Sequence, residues 1–199
     1  MKRQPALILV LLAAAVGLVA CDSGSGTGAT SGVSIFLTDA PIDLTDVHAV
    51  NVTVSGVALY PTDAGSGDSD GVELDSGPIS LPGDLTINLL DFQSGQVTFV
   101  GSATVPPGSY NRVRLRVVSA ELVRDDDGDP ATPDLVEPIT VPSSKVDVPV
   151  PFELTQGEDL AITLDFDAQA SVQVNSTGGH DTYLLRPVIN VAGMKVSGN

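Results

Sequence analysis

Residues 124–134, RDDDGDPATPD, hold the densest group of hard oxygen ligands in the chain. Asp125, Asp127 and Asp129 alternate, as do the first carboxylate ligands of a calcium loop. The EF-hand pattern ends there. Counted from Asp125 it needs a sharp-turn Gly where Pro130 stands and a bidentate Glu where Val136 stands. The segment reads either as a looser calcium site of the extracellular type or as a solvated turn, where Asp, Gly and Pro belong on conformational grounds. The stretch NRVRLRV, residues 111–117, is the second chemical feature. In a strand it puts Arg112, Arg114 and Arg116 on one face and Val113, Leu115 and Val117 on the other. The three guanidinium groups suit an anion or a polysaccharide carboxylate. Equally, they suit cross-strand pairing with acids of the same spacing, for instance Asp165 and Asp167. Asp39, in TDAP (38–41), could ligate something, but an Asp there more readily caps the turn that Pro41 starts. His48 and His180 are the only histidines, too few for a zinc site that needs three or four nitrogen or sulfur ligands. Neither G-x-S-x-G nor H-E-x-x-H occurs. Paired carboxylates are unavoidable among 25 Asp and Glu, so they carry little weight for glycosidase chemistry.

The elements that must position these residues are strands. Val, Thr, Ile and Leu recur in short runs broken by Gly, Pro, Asp and Ser, the pattern of an all-β sandwich or barrel. Strands are expected near 33–38, 47–60, 85–90, 96–105, 110–123, 135–141, 145–152, 159–167 and 182–196. In LAITLDFDA, Leu160, Ile162, Leu164 and Phe166 share one face, with Ala161, Thr163, Asp165 and Asp167 on the other. Val50, Val52 and Val54 alternate with Asn51, Thr53 and Ser55 in the same way. The one helical turn expected lies near Ile42–Asp46, and DAGSGDSDG (63–71) reads as a loop. With no Trp and few aromatics the core must be mostly aliphatic. No repeat of solenoid or propeller period is present, and one domain is expected.

Cysteine occurs once, as Cys21. Lys2 and Arg3 precede a run of apolar residues and Gly from Ala6 to Ala20. That run is short for a bilayer core of about 30 Å, which takes roughly 20 apolar residues. The layout is that of a secretory signal peptide. Leu18-Val19-Ala20-Cys21 resembles the lipobox of bacterial lipoproteins. The resemblance implies cleavage after residue 20, lipidation of the Cys21 thiol and acylation of the new N-terminus. One acyl chain binds membranes marginally, whereas two or more anchor stably. Residues 22–32, DSGSGTGATSG, form a flexible tether, so the expected organisation is a leader (1–20), a lipidated tether (21–31) and a β-domain (32–196). Asp22 resembles an inner-membrane retention signal of enteric bacteria; the choice of membrane stays open. With the only thiol lipidated there is no disulfide, and stability must come from the core. The net charge is −16, and loss of Lys2 and Arg3 takes it to −18. Nucleic acid is thereby disfavoured as a partner, and so is a negative membrane surface beyond the lipid itself.

Four stretches together resemble a known family: GVSIFLTDAPID (32–43), INLLDFQSG (87–95), VPPGSYNRVRLRV (105–117) and YLLRPVINVAG (183–193). With LDFDAQASV (164–172) before the last, they are similar to the prokaryotic domain of unknown function 4382, found in lipid-anchored bacterial proteins. Leu-Thr-Asp-Ala-Pro (37–41) and Gly-x-Tyr (108–110) are the most specific parts. The resemblance implies a sandwich of the prealbumin or immunoglobulin type and no catalytic residues.

The expected function is therefore that of a lipid-anchored, non-enzymatic binding or structural module of the cell envelope, facing the periplasm or exterior, with protein or glycan partners. The alternatives are an envelope hydrolase with a loop-borne carboxylate site and a calcium-stabilised adhesin-like domain. Cys21→Ser should leave the chain unprocessed or release it from membranes. Recovery of a lipidated mature form from that variant in membrane fractions would remove the argument for the anchor.

Overall fold

A computed structural model describes residues 30–39, 47–62, 72–73, 84–92, 96–125, 127–129, 135–178 and 180–198. The expected leader, Cys21, most of the tether, the turn at Ile42–Asp46 and the loop 63–71 lie outside these residues. In chain order the strands are β1 (Ser31–Thr38), β2 (Val47–Pro61), β3 (Val72–Glu73), β4 (Leu85–Asn88), β5 (Thr98–Val105), β6 (Gly108–Arg124), β7 (Leu135–Thr140), β8 (Lys145–Leu154), β9 (Glu158–Asp167), β10 (Val172–Thr177), β11 (His180–Leu185) and β12 (Val188–Gly198). A 3₁₀ turn, Leu89–Phe92, follows β4, and one helical turn, α1 (Ala168–Ser171), follows β9.

The strands form two sheets. One has the order β12-β9-β1-β5, with β1 and β9 parallel and the outer pairs antiparallel. The other runs β10-β11-β7-β6-β2-β3, with β4 added beside β2 and β8 beside β6. The period-two pattern dictates which faces meet. Val33, Ile35 and Leu37 of β1 and Leu160, Ile162, Leu164 and Phe166 of β9 are all buried. They pack in one hydrophobic cluster with Val50, Val52, Val54 and Leu59 of β2 and Val113, Leu115 and Val117 of β6. Each such side chain removed from water contributes about 1.5–3 kcal/mol. The protein is an all-β sandwich with an aliphatic core.

Three joints hold the sheets in register. The first is the Gly-x-Tyr stretch at 108–110. Tyr110 is buried, its ring stacks on Phe152 at 5.1 Å, and its hydroxyl donates to the Pro106 carbonyl at 2.7 Å. This hydroxyl-to-upstream-backbone bond works like the tyrosine corner of Greek-key sandwiches. The second is the turn from β8 to β9, where the chain changes sheet. Glu158 N–H donates to the Thr155 carbonyl, and Gly157 adopts φ +80°, a conformation that favours glycine. The third is the crossing from β11 to β12, expected as a single strand over 182–196. The structure divides it at Arg186–Pro187, and the two halves belong to different sheets. Pro187 has no N–H to offer a ladder. The amides on either side of it turn to Ser171, which is fully buried: Arg186 N–H donates to its carbonyl (2.8 Å) and Val188 N–H to its hydroxyl (2.7 Å).

The sheet borders carry their own protection. β8 pairs with β6 alone among the described residues, and it bears Pro149 and Pro151. β12, at the border of the smaller sheet, is bulged between Val191 and Gly193 and carries Lys195. Prolines, bulges and lysines all discourage pairing with a further strand.

Tyr110→Phe should cost about 0.5–1.5 kcal/mol through the lost hydrogen bond, or about 2–4 °C in Tm per kcal/mol. Burial raises the pKa of Tyr110 above its ordinary value of 10.0. The folded state thus favours the neutral phenol. Its contribution is complete below about pH 10 and is lost as pH rises through the raised value. Melts from neutral pH to about pH 11 should show a shallower alkaline decline in Tyr110→Phe than in the parent chain.

Candidate functional site

The sequence-derived candidates fall in three places, and each largely satisfies itself. Asp125 Oδ1 accepts from the amides of Asp127 (3.1 Å) and Gly128 (2.6 Å), and Asp127 Oδ1 accepts from Asp129 N–H at 2.8 Å. The alternating carboxylates thus build consecutive side-chain-capped turns, with Gly128 at φ +73°. Among the described residues no group of three or more His, Cys, Asp or Glu side chains is arranged to hold a metal ion. Asp39 is buried, and its Oδ1 accepts from Ala168 N–H at 3.0 Å. It therefore ties the end of β1 to the start of α1; the turn that Pro41 starts lies outside the described residues. His48 lies in β2 and His180 opens β11.

The arginine face lies on the outside of the larger sheet, where it forms a layered internal contact. Tyr60 on β2 stands directly opposite Arg112, and Asp147 on β8 directly opposite Arg114. Arg114 grips Asp147 with a two-pronged contact, Nε to Oδ1 at 2.6 Å and Nη2 to Oδ2 at 2.9 Å. Arg112 Nη1 reaches the same carboxylate at 3.3 Å. Both guanidinium carbons lie over the Tyr60 ring, at 3.8 and 4.8 Å from its centroid. Cross-strand pairing is thus the arrangement, with a different acid from the two named above. Asp165 and Asp167 belong to β9 in the other sheet, and Asp167 caps α1 by accepting from Ala170 N–H at 2.8 Å. Arg116 stands between Gly56 and Lys145.

Sequence reasoning missed a surface on the outside of the smaller sheet. Strand register lays its outward residues in cross-strand rows. Thr104, Gly32, Asp159 and Ser197 form one; Ser102, Ser34, Ala161 and Lys195 the next; Phe99, Phe36, Thr163 and Gly193 the third. Small side chains at Gly32, Ser34 and Ala161 leave a trough of about 640 Å³ that touches all four strands. It continues past Phe36 and Ala161 into a second depression of about 300 Å³ beside Val97 and Thr163. Phe36 and Phe99 meet edge to face, with centroids 5.6 Å apart. Phe99 and Val97 are each about half exposed, at 52% and 53%. Gly32 has a steric reason here: a Cβ would strike the Asp159 carboxylate. In its absence the Gly32 N–H donates to Asp159 Oδ1 at 3.0 Å and fixes that carboxylate at the end of the trough. The hydroxyls of Ser34, Ser102, Thr104 and Thr163 make no hydrogen bond within the described residues. Among the described lining residues Asp159 is the one carboxylate and Lys195 the one cation. The surface therefore offers an aromatic platform, open hydroxyls and near-neutral charge.

Two stability measurements follow from the self-satisfied sites. Asp125→Asn keeps the acceptor oxygen and loses the charge, so its melting should match the parent with calcium or with chelator. Asp125→Ala should lose about 0.5–1.5 kcal/mol in both conditions. Asp147→Ala should cost more, on the order of 1.5–3 kcal/mol, because the nearly buried Arg114 loses its two-pronged partner. Chemical denaturation of the three variants checks both.

Comparison with known proteins agrees with the sequence. No curated protein matches the chain. Among solved structures, a crystal structure of a candidate cell adhesion protein from Bacteroides eggerthii DSM 20697 is similar over 82% of this chain and 57% of its own. The identity is 9% and the TM-score 0.32, so the likeness carries no weight for fold or function. A family model described as Domain of unknown function (DUF4382) matches residues 30–187. The whole sandwich through β11 thus falls within one family unit, and the chain belongs to the DUF4382 family.

Proposed function

We propose that this protein is a lipid-anchored component of the bacterial cell envelope whose β-sandwich is a non-enzymatic binding module. Its recognition surface is the outer face of the four-stranded sheet. One observation carries the reading: Phe36 lines a depression among hydroxyls that make no hydrogen bond within the described residues, and half-exposed Phe99 packs edge to face against it at the border. Binding sites combine apolar platforms with a few polar groups that fix orientation. The described lining holds a single carboxylate, Asp159, whereas glycoside hydrolysis generally uses two. The address rests on the lipobox-like stretch ending at Cys21, and the glycine- and serine-rich residues after it act as the tether.

The full chain carrying Cys21→Ser, fluorescently labelled, should sediment with isolated cell envelopes. Phe99→Ala in the same background should reduce the bound fraction about tenfold, the weight of an aromatic anchor at an interface. Absence of sedimentation, or equal sedimentation of both chains, would overturn the reading.

A further inference from the structure

We infer that the trough on the four-stranded sheet binds a neutral glycan chain laid across the strands, with the Phe36–Phe99 pair as its stacking platform. The inference rests on the reading that this face is the recognition surface, and it names the ligand class.

The direction comes from the rows. The trough touches β5, β1, β9 and β12 in turn. Four strands at about 4.8 Å spacing give it a length of about 14 Å. That accommodates a short run of sugar rings rather than one. The floor is low because Gly32, Ser34 and Ala161 have small side chains or none.

The lining chemistry separates a glycan from a protein. A sugar ring has an apolar face of C–H groups and a rim of hydroxyls, each both donor and acceptor. Phe99 offers an exposed apolar ring, with Phe36 behind it. Ser34, Ser102 and Thr104 offer hydroxyls that are likewise donor and acceptor, and Asp159 offers a held carboxylate. An apolar protein side chain laid over this floor would desolvate those hydroxyls without replacing their hydrogen bonds, at a cost of about 1–3 kcal/mol for each. A chain of sugar hydroxyls replaces them. Charge selects the neutral class. The protein carries −16 overall, so a polyanion is repelled at long range; among the described lining residues the trough has only Asp159 and the adjoining depression only Lys195 to offer a charged ligand.

The test is native affinity electrophoresis of the full chain carrying Cys21→Ser. The gels contain hydroxyethylcellulose, xyloglucan, galactomannan or laminarin, with polygalacturonate as the anionic control. At least one neutral polymer should retard the protein. The retardation should persist near 1 M salt, where screening acts within about 3 Å. Phe99→Ala should weaken it about tenfold or more. Ala161→Tyr should abolish it by filling the floor; both side chains face outward, so thermal melts should match the parent. The envelope sedimentation assay, run after periodate or protease treatment of the envelopes, separates the failures. Loss of binding after periodate, with survival after protease, supports the inference. Loss after protease with survival after periodate, or retardation by polygalacturonate alone, overturns it and leaves a binding module with another partner. No binding to any envelope preparation overturns both.

Discussion

The parallel pairing of β1 with β9 is the constraint on which the rest of the structure depends. It sets Val33, Ile35 and Leu37 beside Leu160, Ile162 and Leu164. The intervening residues must therefore act as one long crossover. Contacts at both ends of the pair reinforce it, with Ser31 Oγ donating to the Thr155 carbonyl and Ala168 N–H to Asp39. Such contacts join residues more than 120 positions apart. They return nothing until the loop between them has closed, which is the physical cost of non-local β topology. The buried Asp39 gives the Leu-Thr-Asp-Ala-Pro stretch a structural role. Its carboxylate holds a distant amide at the point where β9 gives way to α1.

Much of this was legible. The alternations in β1, β2, β6 and β9 name the buried face residue by residue, because burying one face requires a period of two. The β11–β12 run was not legible as two strands. Tyr183-Leu184-Leu185 and Val188-Ile189 are both strand-like, and the partner that breaks them apart, Ser171, is set by tertiary placement. α1 escaped for a related reason, since its cap Asp167 sits in a period-two pattern that reads as strand to its end. The trough was invisible for another. Ser34, Ala161 and Ser102 carry no motif, and Phe36 meets Phe99 only through a β1–β5 register that shifts between Ile35 and Phe36.

The two outer faces solve opposite problems. On the larger sheet Arg114 is nearly buried, and its charge is met by Asp147 and the face of Tyr60. Those residues are occupied with one another. On the smaller sheet the outward rows mix Phe36 and Phe99 with small residues, and the hydroxyls of Ser34, Ser102, Thr104 and Thr163 make no hydrogen bond within the described residues. In an acidic chain, three guanidinium groups on one strand face suited either an anion site or cross-strand pairing. The surface proposed for recognition lies instead on the side with less charge.

The borders described for β8 and β12 acquire a further meaning if Cys21 confines the molecule to a bilayer. Confinement turns collisions between copies into encounters in a plane, where lateral crowding far exceeds that of a dilute solution. An open ladder at the flank of each sandwich would then propagate sheets from molecule to molecule along the membrane. Pro149 and Pro151 on one flank, and the bulge and Lys195 on the other, would then keep neighbouring copies of the domain from joining edge to edge.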